Sequence, residues 1–186
     1  MFEKLITLIT AALEKHGIPY MIIGGQAVLF YGNPRLTKDI DITLGINIDK
    51  ASILVNALKD ANLRIIPEDF EEFVKRTFVL PAKDEATGIR ADFIFSFTPY
   101  ENLAISRAKD VFIGGRAVKF ASVEDVIIHK IFAGRARDLE DARSILIKNP
   151  DYDQAYLRNW LIKFGETDEP EKFIEIFEEV LKGLPQ

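Results

Sequence analysis

The segment Tyr20 to Gly45, YMIIGGQAVLFYGNPRLTKDIDITLG, constrains the fold more than any other part of the chain. An apolar run, Tyr20 to Ile23, ends in the pair Gly24-Gly25, which leads into a brief helical stretch, Gln26 to Tyr31. Gly32, Asn33 and Pro34 stop that stretch, because glycine and proline do not continue a helix favourably. Lys38 to Leu44 then alternates polar and apolar residues with the period of a strand. Successive strand side chains point to opposite faces, so Ile40, Ile42 and Leu44 share one face and Asp39, Asp41 and Thr43 the other.

Two carboxylates on one strand face stand roughly 6.5 to 7 Å apart along the chain. Side chains at that spacing can converge on one magnesium ion, or on two ions about 3.5–4 Å apart. Without a cation, two like charges side by side raise the pKa of one of them. An isolated D-x-D is also compatible with a solvated strand face. A second strand, expected over Ile89 to Phe97, gives the pair its context: Ala91, Phe93, Phe95 and Phe97 fall on one side, Asp92, Ile94 and Ser96 on the other. If the two strands pair, Asp39, Asp41 and Asp92 meet above one surface, the complement of a metal-assisted phosphoryl-transfer site.

The glycine pair sits between strand and helix, where backbone amides and the helix N-terminus face an anion favourably. Neither G-x-G-x-x-G nor G-x-x-x-x-G-K-[ST] is present, so the pair is not a dinucleotide or Walker fingerprint. Arg35 precedes the aspartates on a loop and is a candidate for holding phosphate or acceptor; Lys38 has the opposite strand parity to Asp39. Lys130, within HKIFAGRARDLEDA, is a further phosphate candidate, off the centre of a core stripe made by Val123, Val126, Ile127 and Ile131. Asp138 and Asp141 read as acidic residues favouring the start of a following helix.

Composition narrows the chemistry. The 186 residues contain no cysteine and two histidines, which excludes disulfides, thiolate catalysis and cysteine-ligated zinc and leaves hard oxygen ligands. The formal charge of −5 argues against a general nucleic-acid coat while permitting a local basic cleft. No apolar run approaches the roughly 20 residues of a membrane span, and Met1 to Gly17 reads as an amphipathic helix rather than a leader, so a cytoplasmic protein is expected.

Further helices are expected over residues 2–16, Asp49 to Ala61 (with Ile53, Leu54, Ala57 and Leu58 inward), a short stretch around Phe70, and Pro99 to Ala108. A strand is expected from Arg76 to Leu80, and a hairpin from Val111 to Phe120 around Gly114-Gly115. Ser122 and Asp125 form a capping signature for a helix to about Phe132, and Leu139 to Ile147, Tyr152 to Phe164 and Glu171 to Lys182 read as helices. The fold class is therefore α/β (α+β): a small mixed sheet with flanking helices over residues 1–121 and a helical part over 122–186.

Gly24-Gly25, the spacer, Asp39-Ile40-Asp41 and the later Asp92 resemble the nucleotidyltransferase superfamily with its polymerase-beta-like fold. GGQAVLFYGNPRLTKDIDI, with R-x-T-x-D-x-D, and the downstream Lys130, Arg137-Asp138 and Asp141 are similar to the AbiEii-type branch of bacterial and archaeal proteins. The resemblance implies that Asp39 and Asp41 bind Mg2+ (or Mn2+) and that Asp92 completes the site and activates the acceptor. Gly24 and Gly25 would hold the triphosphate, with Arg35 and Lys130 as added cations. Gly25 stands where many relatives carry serine. The implied reaction moves a nucleoside monophosphate from an NTP to an acceptor hydroxyl or amine (an RNA end, a protein or a small molecule), with a toxin role and an antitoxin-type protein partner. A catalytically silent nucleotide- or partner-binding module of the same fold is the alternative. Asp39-Ile40-Asp41-Ile42-Thr43 also satisfies the D-x-D-x-T of haloacid-dehalogenase-type phosphatases, whose nucleophile follows an apolar strand; here Arg35, Thr37 and Lys38 precede it.

Overall fold

The computed structural model describes residues 1–96, 98–165 and 171–184. Phe97, expected at the end of a strand, lies outside them. The described chain divides into two compact units, residues 1–26 with 36–121, and residues 27–35 with 122–186.

The first unit is built on a mixed sheet. Its central strands are β1 (Tyr20–Ile23), buried along its whole length, and β2 (Asp39–Leu44). They pair antiparallel, with Ile23 opposite Asp41. Next to β2 lies β5 (Arg90–Phe95), parallel to it, with Asp41 opposite Asp92 and Asp39 opposite Arg90. Beyond β5 come β4 (Val79–Lys83) and the short β3 (Arg64–Ile65); on the other side of β1 lie β7 (Arg116–Phe120) and β6 (Lys109–Ile113). The order is β3-β4-β5-β2-β1-β7-β6.

Alternation decides which face is core. Ile40, Ile42 and Leu44 of β2 and Ala91, Phe93 and Phe95 of β5 are wholly buried, while Asp39, Asp41 and Asp92 on the opposite face keep partial access to solvent. Burying the isoleucine, leucine and phenylalanine side chains contributes about 1.5–3 kcal/mol each, so a one-residue slip of either strand, which would exchange the faces, is strongly disfavoured. Helices α1 (Phe2–Lys15) and α3 (Ala51–Asp60) pack on each other through apolar stripes that include Leu5, Ile9, Leu13, Leu54, Ala57 and Leu58. Ile53, expected inward, is 38% exposed. The buried stripe of α3 runs through Leu54, Ala57 and Leu58, and at about 100° per residue Ile53 is rotated off it.

The strand expected from Arg76 is also corrected. Arg76 and Thr77 belong to α4 (Phe70–Thr77), capped by the Asp69 side chain and carrying acids in its first turn and Lys75 and Arg76 in its last. That distribution complements the helix dipole. Phe78 then turns the chain through a left-handed conformation before β4 starts at Val79. Helix α5 (Pro99–Ser106) opens with a capping box between Thr98 and Glu101.

Gly24 and Gly25 form no loop of their own. They are the first residues of α2 (Gly24–Tyr31), which starts directly after β1. The division between the two units falls inside this helix.

The second unit packs α6 (Val123–Ala133), α7 (Ala136–Lys148), α8 (Gln154–Gly165) and α9 (Lys172–Lys182) around Ile127, Ile131, Ile145, Leu157, Leu161 and Phe177. Ser122 caps α6 by accepting from the Asp125 amide, as its spacing predicts. Residues 31–35 are tied to α7 and the residue after it: Lys148 Nζ donates to the Gly32 carbonyl at 2.8 Å and Asn149 Nδ2 to the Tyr31 carbonyl at 2.9 Å.

Candidate active site

Asp39, Asp41, Asp92 and Arg90 stand on the same face of two parallel neighbouring strands. Strands pair about 4.8 Å apart, so the Asp41 and Asp92 side chains rise beside each other, as do those of Asp39 and Arg90. The aspartates are not merely solvated. Thr37 Oγ1 donates to Asp39 Oδ1 at 3.1 Å, and the Gln26 side-chain amide reaches the Asp39 carbonyl at 3.4 Å. Arg90 Nε donates to Asp92 Oδ1 at 2.7 Å, and this bond, with the Asp39 and Asp41 charges nearby, raises the guanidinium pKa above its ordinary value.

Gly24 meets this face directly. Its φ is +62°, and a Cβ on it would stand 1.8 Å from Asp41 Oδ2. Only glycine satisfies both conditions, because an L side chain is disfavoured at that φ and its first carbon would overlap a carboxylate oxygen. The diglycine thus lets the start of α2 pass against Asp41, bringing a helix N-terminus beside a carboxylate face. Gly25 is buried in the first turn.

The donor set is the hard-oxygen kind that magnesium takes. Asp39 and Asp41 share a face, and Asp92 is adjacent to Asp41 across the strand pair, so the three residues fit a divalent ion in donor type and in strand register. Among the described residues no group of three or more aspartate, glutamate, histidine or cysteine side chains is arranged to hold a metal ion. One oxygen of Asp92 is instead engaged by Arg90.

Arg35 and Lys130, the other two cations read from the sequence, belong to the second unit and are held by aspartates there. Arg35 makes a bidentate pair with Asp141, Nε to Oδ1 and an Nη to Oδ2, both at 2.8 Å. Lys130 Nζ lies 2.8 Å from Asp138 Oδ1 and 2.9 Å from Asp141 Oδ2, and Arg135 Nε is 2.6 Å from Asp138 Oδ2. Lys130, Asp138 and Asp141 are all buried. Burial by itself pushes the Asp138 carboxyl up, but its bonds from Lys130 and Arg135 outweigh that and hold it below its ordinary value. Asp138 and Asp141 are therefore the buried partners of cations, beyond any effect on the helix start.

Sequence reasoning passed over Arg90 and these pairings. Arg90 had a legible signal, since it sits two residues before Asp92 and shares its strand face. The D-x-x-D spacing of Asp138 and Asp141 likewise puts both on one side of α7, but nothing local names Lys130 as their partner.

The phosphatase reading does not fit this geometry. Asp39 begins its strand instead of following it, and β2 runs antiparallel to β1.

The fold is similar to that of ANT(2'')-Ia, whose structure was solved in complex with adenylyl-2''-tobramycin, at 18% identity and a TM-score of 0.56 over 97% of each chain. It is similar to an antigenic nucleotidyltransferase-like protein from Paracoccidioides brasiliensis, at 17% identity and a TM-score of 0.54 over 98% of this chain and 94% of that one. The lincosamide antibiotic adenylyltransferase LnuA, lincomycin-bound, gives 16% identity and a TM-score of 0.52 over 76% of this chain and 94% of its own. No curated protein matches the sequence. Residues 8–182 match the family described as "Nucleotidyl transferase AbiEii toxin, Type IV TA system". With a match over nearly the whole chain, a mixed sheet of the polymerase-beta-like kind and paired carboxylates beside a diglycine helix start, this protein belongs to the AbiEii family of nucleotidyltransferases.

Proposed function

We propose that the carboxylate face of β2 and β5 is the active centre and that it transfers a nucleoside monophosphate from an NTP to an acceptor hydroxyl or amine. The observation that carries this reading is the contact between Gly24 and Asp41, which sets a helix N-terminus against a strand carboxylate paired with a second one. Asp39 and Asp41 would hold Mg2+ or Mn2+, with Asp92 completing the set. When bound, the ion neutralises charge on the α-phosphate and on the departing pyrophosphate.

The chain's own residues do the positioning. Amides at Gly24 and Gly25, with the dipole of α2, face the triphosphate. Asp92 accepts the acceptor's proton as the acceptor oxygen or nitrogen bonds to the α-phosphorus and the bond to the bridging oxygen breaks, releasing pyrophosphate. Arg35 and Lys130 would serve phosphate only by exchanging the Asp141 and Asp138 carboxylates for it. A toxin role, opposed by an antitoxin, is supported by the family's description. The two adenylyltransferases of similar fold support ATP as one donor to try and a small hydroxylated molecule as one acceptor.

The test is incubation with each α-labelled NTP, magnesium and total cellular RNA, protein or small-molecule extract. Label should enter one fraction with wild type and fall by at least about a hundredfold with Asp41→Asn, the scale of losing one charge-stabilising group. Transfer undiminished in Asp41→Asn would overturn the site; absence of label from all fractions would overturn the activity.

A further inference from the structure

Among the described residues Arg90 is the one guanidinium that shares a strand face with the three aspartates, and three features give it a role apart from theirs. It stands across from Asp39 in the parallel register while bonding Asp92 two residues along its own strand. The exposure of the partners is unequal: the Arg90 side chain is 53% exposed and that of Asp92 only 18%. Separation of the pair therefore falls to the arginine, which turns its head into water at little cost, since an ion pair with a half-exposed partner is weak. Its charge also matters to the site as a whole. Three carboxylates crowded on one face repel one another, and the guanidinium offsets one of them.

We propose that Arg90 is a built-in counter-cation: it holds Asp92 on the acidic face while no metal is bound and is displaced from it by a divalent ion, so that it weakens metal binding in the absence of nucleotide. This rests on the reading of Asp39, Asp41 and Asp92 as the metal-binding set. With Arg90 on Asp92 the face is less negative and one carboxylate oxygen is engaged, so a divalent ion alone binds weakly; the triphosphate adds negative charge that offsets the guanidinium. Arg90 is thus a positioning residue for Asp92 that makes occupancy of the site depend on nucleotide.

Mn2+ serves as the probe, its free concentration followed by electron paramagnetic resonance with and without a non-hydrolysable NTP analogue. Arg90→Gln should bind Mn2+ alone about three- to tenfold more tightly than wild type, the scale expected when one positive charge several ångströms from a divalent ion is removed in partly screened surroundings. With the analogue present the difference should shrink to about twofold or less. Arg90→Lys keeps the charge and should stay within about twofold of wild type in both conditions. If Arg90→Gln binds Mn2+ alone no more tightly than wild type, while Asp41→Asn abolishes that binding, the counter-cation is overturned and the metal-binding set stands. If Asp41→Asn binds Mn2+ as wild type does, the metal-binding set falls, and the role of Arg90 with it.

Discussion

At the scale of single residues, Gly24 is where sequence and site meet most tightly. Its left-handed φ and its contact with Asp41 Oδ2 are two separate reasons for glycine. Gly24→Ala should therefore do more than strain a turn. The left-handed conformation costs roughly 1–2 kcal/mol, and the methyl group additionally displaces the Asp41 carboxylate. The expected outcome is a lower melting temperature together with loss of NTP transfer and of Mn2+ binding. Gly17 provides the control, because it has a similar φ with nothing within 4 Å of an added Cβ. Gly17→Ala should lower stability and leave the site's binding intact; equal effects of the two substitutions on Mn2+ binding would refute the direct contact.

At the scale of elements, caps and periodicity made most helices and strands legible. Tyr20–Ile23 is the strand that its apolar run predicts, and Ser122 caps α6 where the S-x-x-D spacing places it. The cap is deeper than a surface one: Ser122 accepts from the Asp125 amide at 3.2 Å and donates its hydroxyl to Asp125 Oδ2 at 2.7 Å, and Tyr156 OH donates to the other oxygen of that buried carboxylate at 2.8 Å. Ser122→Ala should cost about 1–3 kcal/mol, cap loss plus an impaired buried carboxylate, read as a shift in the urea midpoint. A loss below about 0.5 kcal/mol would show that the cap contributes little. Over 63–87 the helix-to-strand change at Phe78 hangs on one left-handed residue that is not glycine, a conformation with no sequence signature.

At the scale of the whole molecule, the described chain is a mixed-sheet unit and a helical unit, and no described helix is long and apolar enough to cross a membrane. The helical unit encloses charge. Lys130 answers to two buried aspartates, so Lys130→Met leaves them short of a partner and should destabilise the protein by about 3–5 kcal/mol. The same pairing predicts an acid limit. Asp138 has its folded-state pKa depressed below 3.8, so its contribution is fully present above the unfolded value and is lost as pH falls through the folded one. Urea midpoints followed by circular dichroism should accordingly fall below about pH 4 in wild type. That decline should be smaller in Asp138→Asn, which has no carboxyl at this position to protonate; an identical acid dependence in the two proteins would remove Asp138 from the account.

Taken alone, the sequence determined which side chains share a face, that Ser122 caps α6, and that Asp39 and Asp41 point away from the core, because each of these depends on neighbours a few residues apart. It also carried the family resemblance, through motifs local in the chain. Only the tertiary structure decided that Asp92 stands opposite Asp41, that Arg90 stands opposite Asp39, and that Arg35 and Lys130 answer to Asp138 and Asp141. Those partners are brought together by strand register and helix packing. Register is selected by the burial of whole strand faces at once, and a buried cation settles on whichever carboxylates packing puts beside it; neither choice is written in the residues next to it.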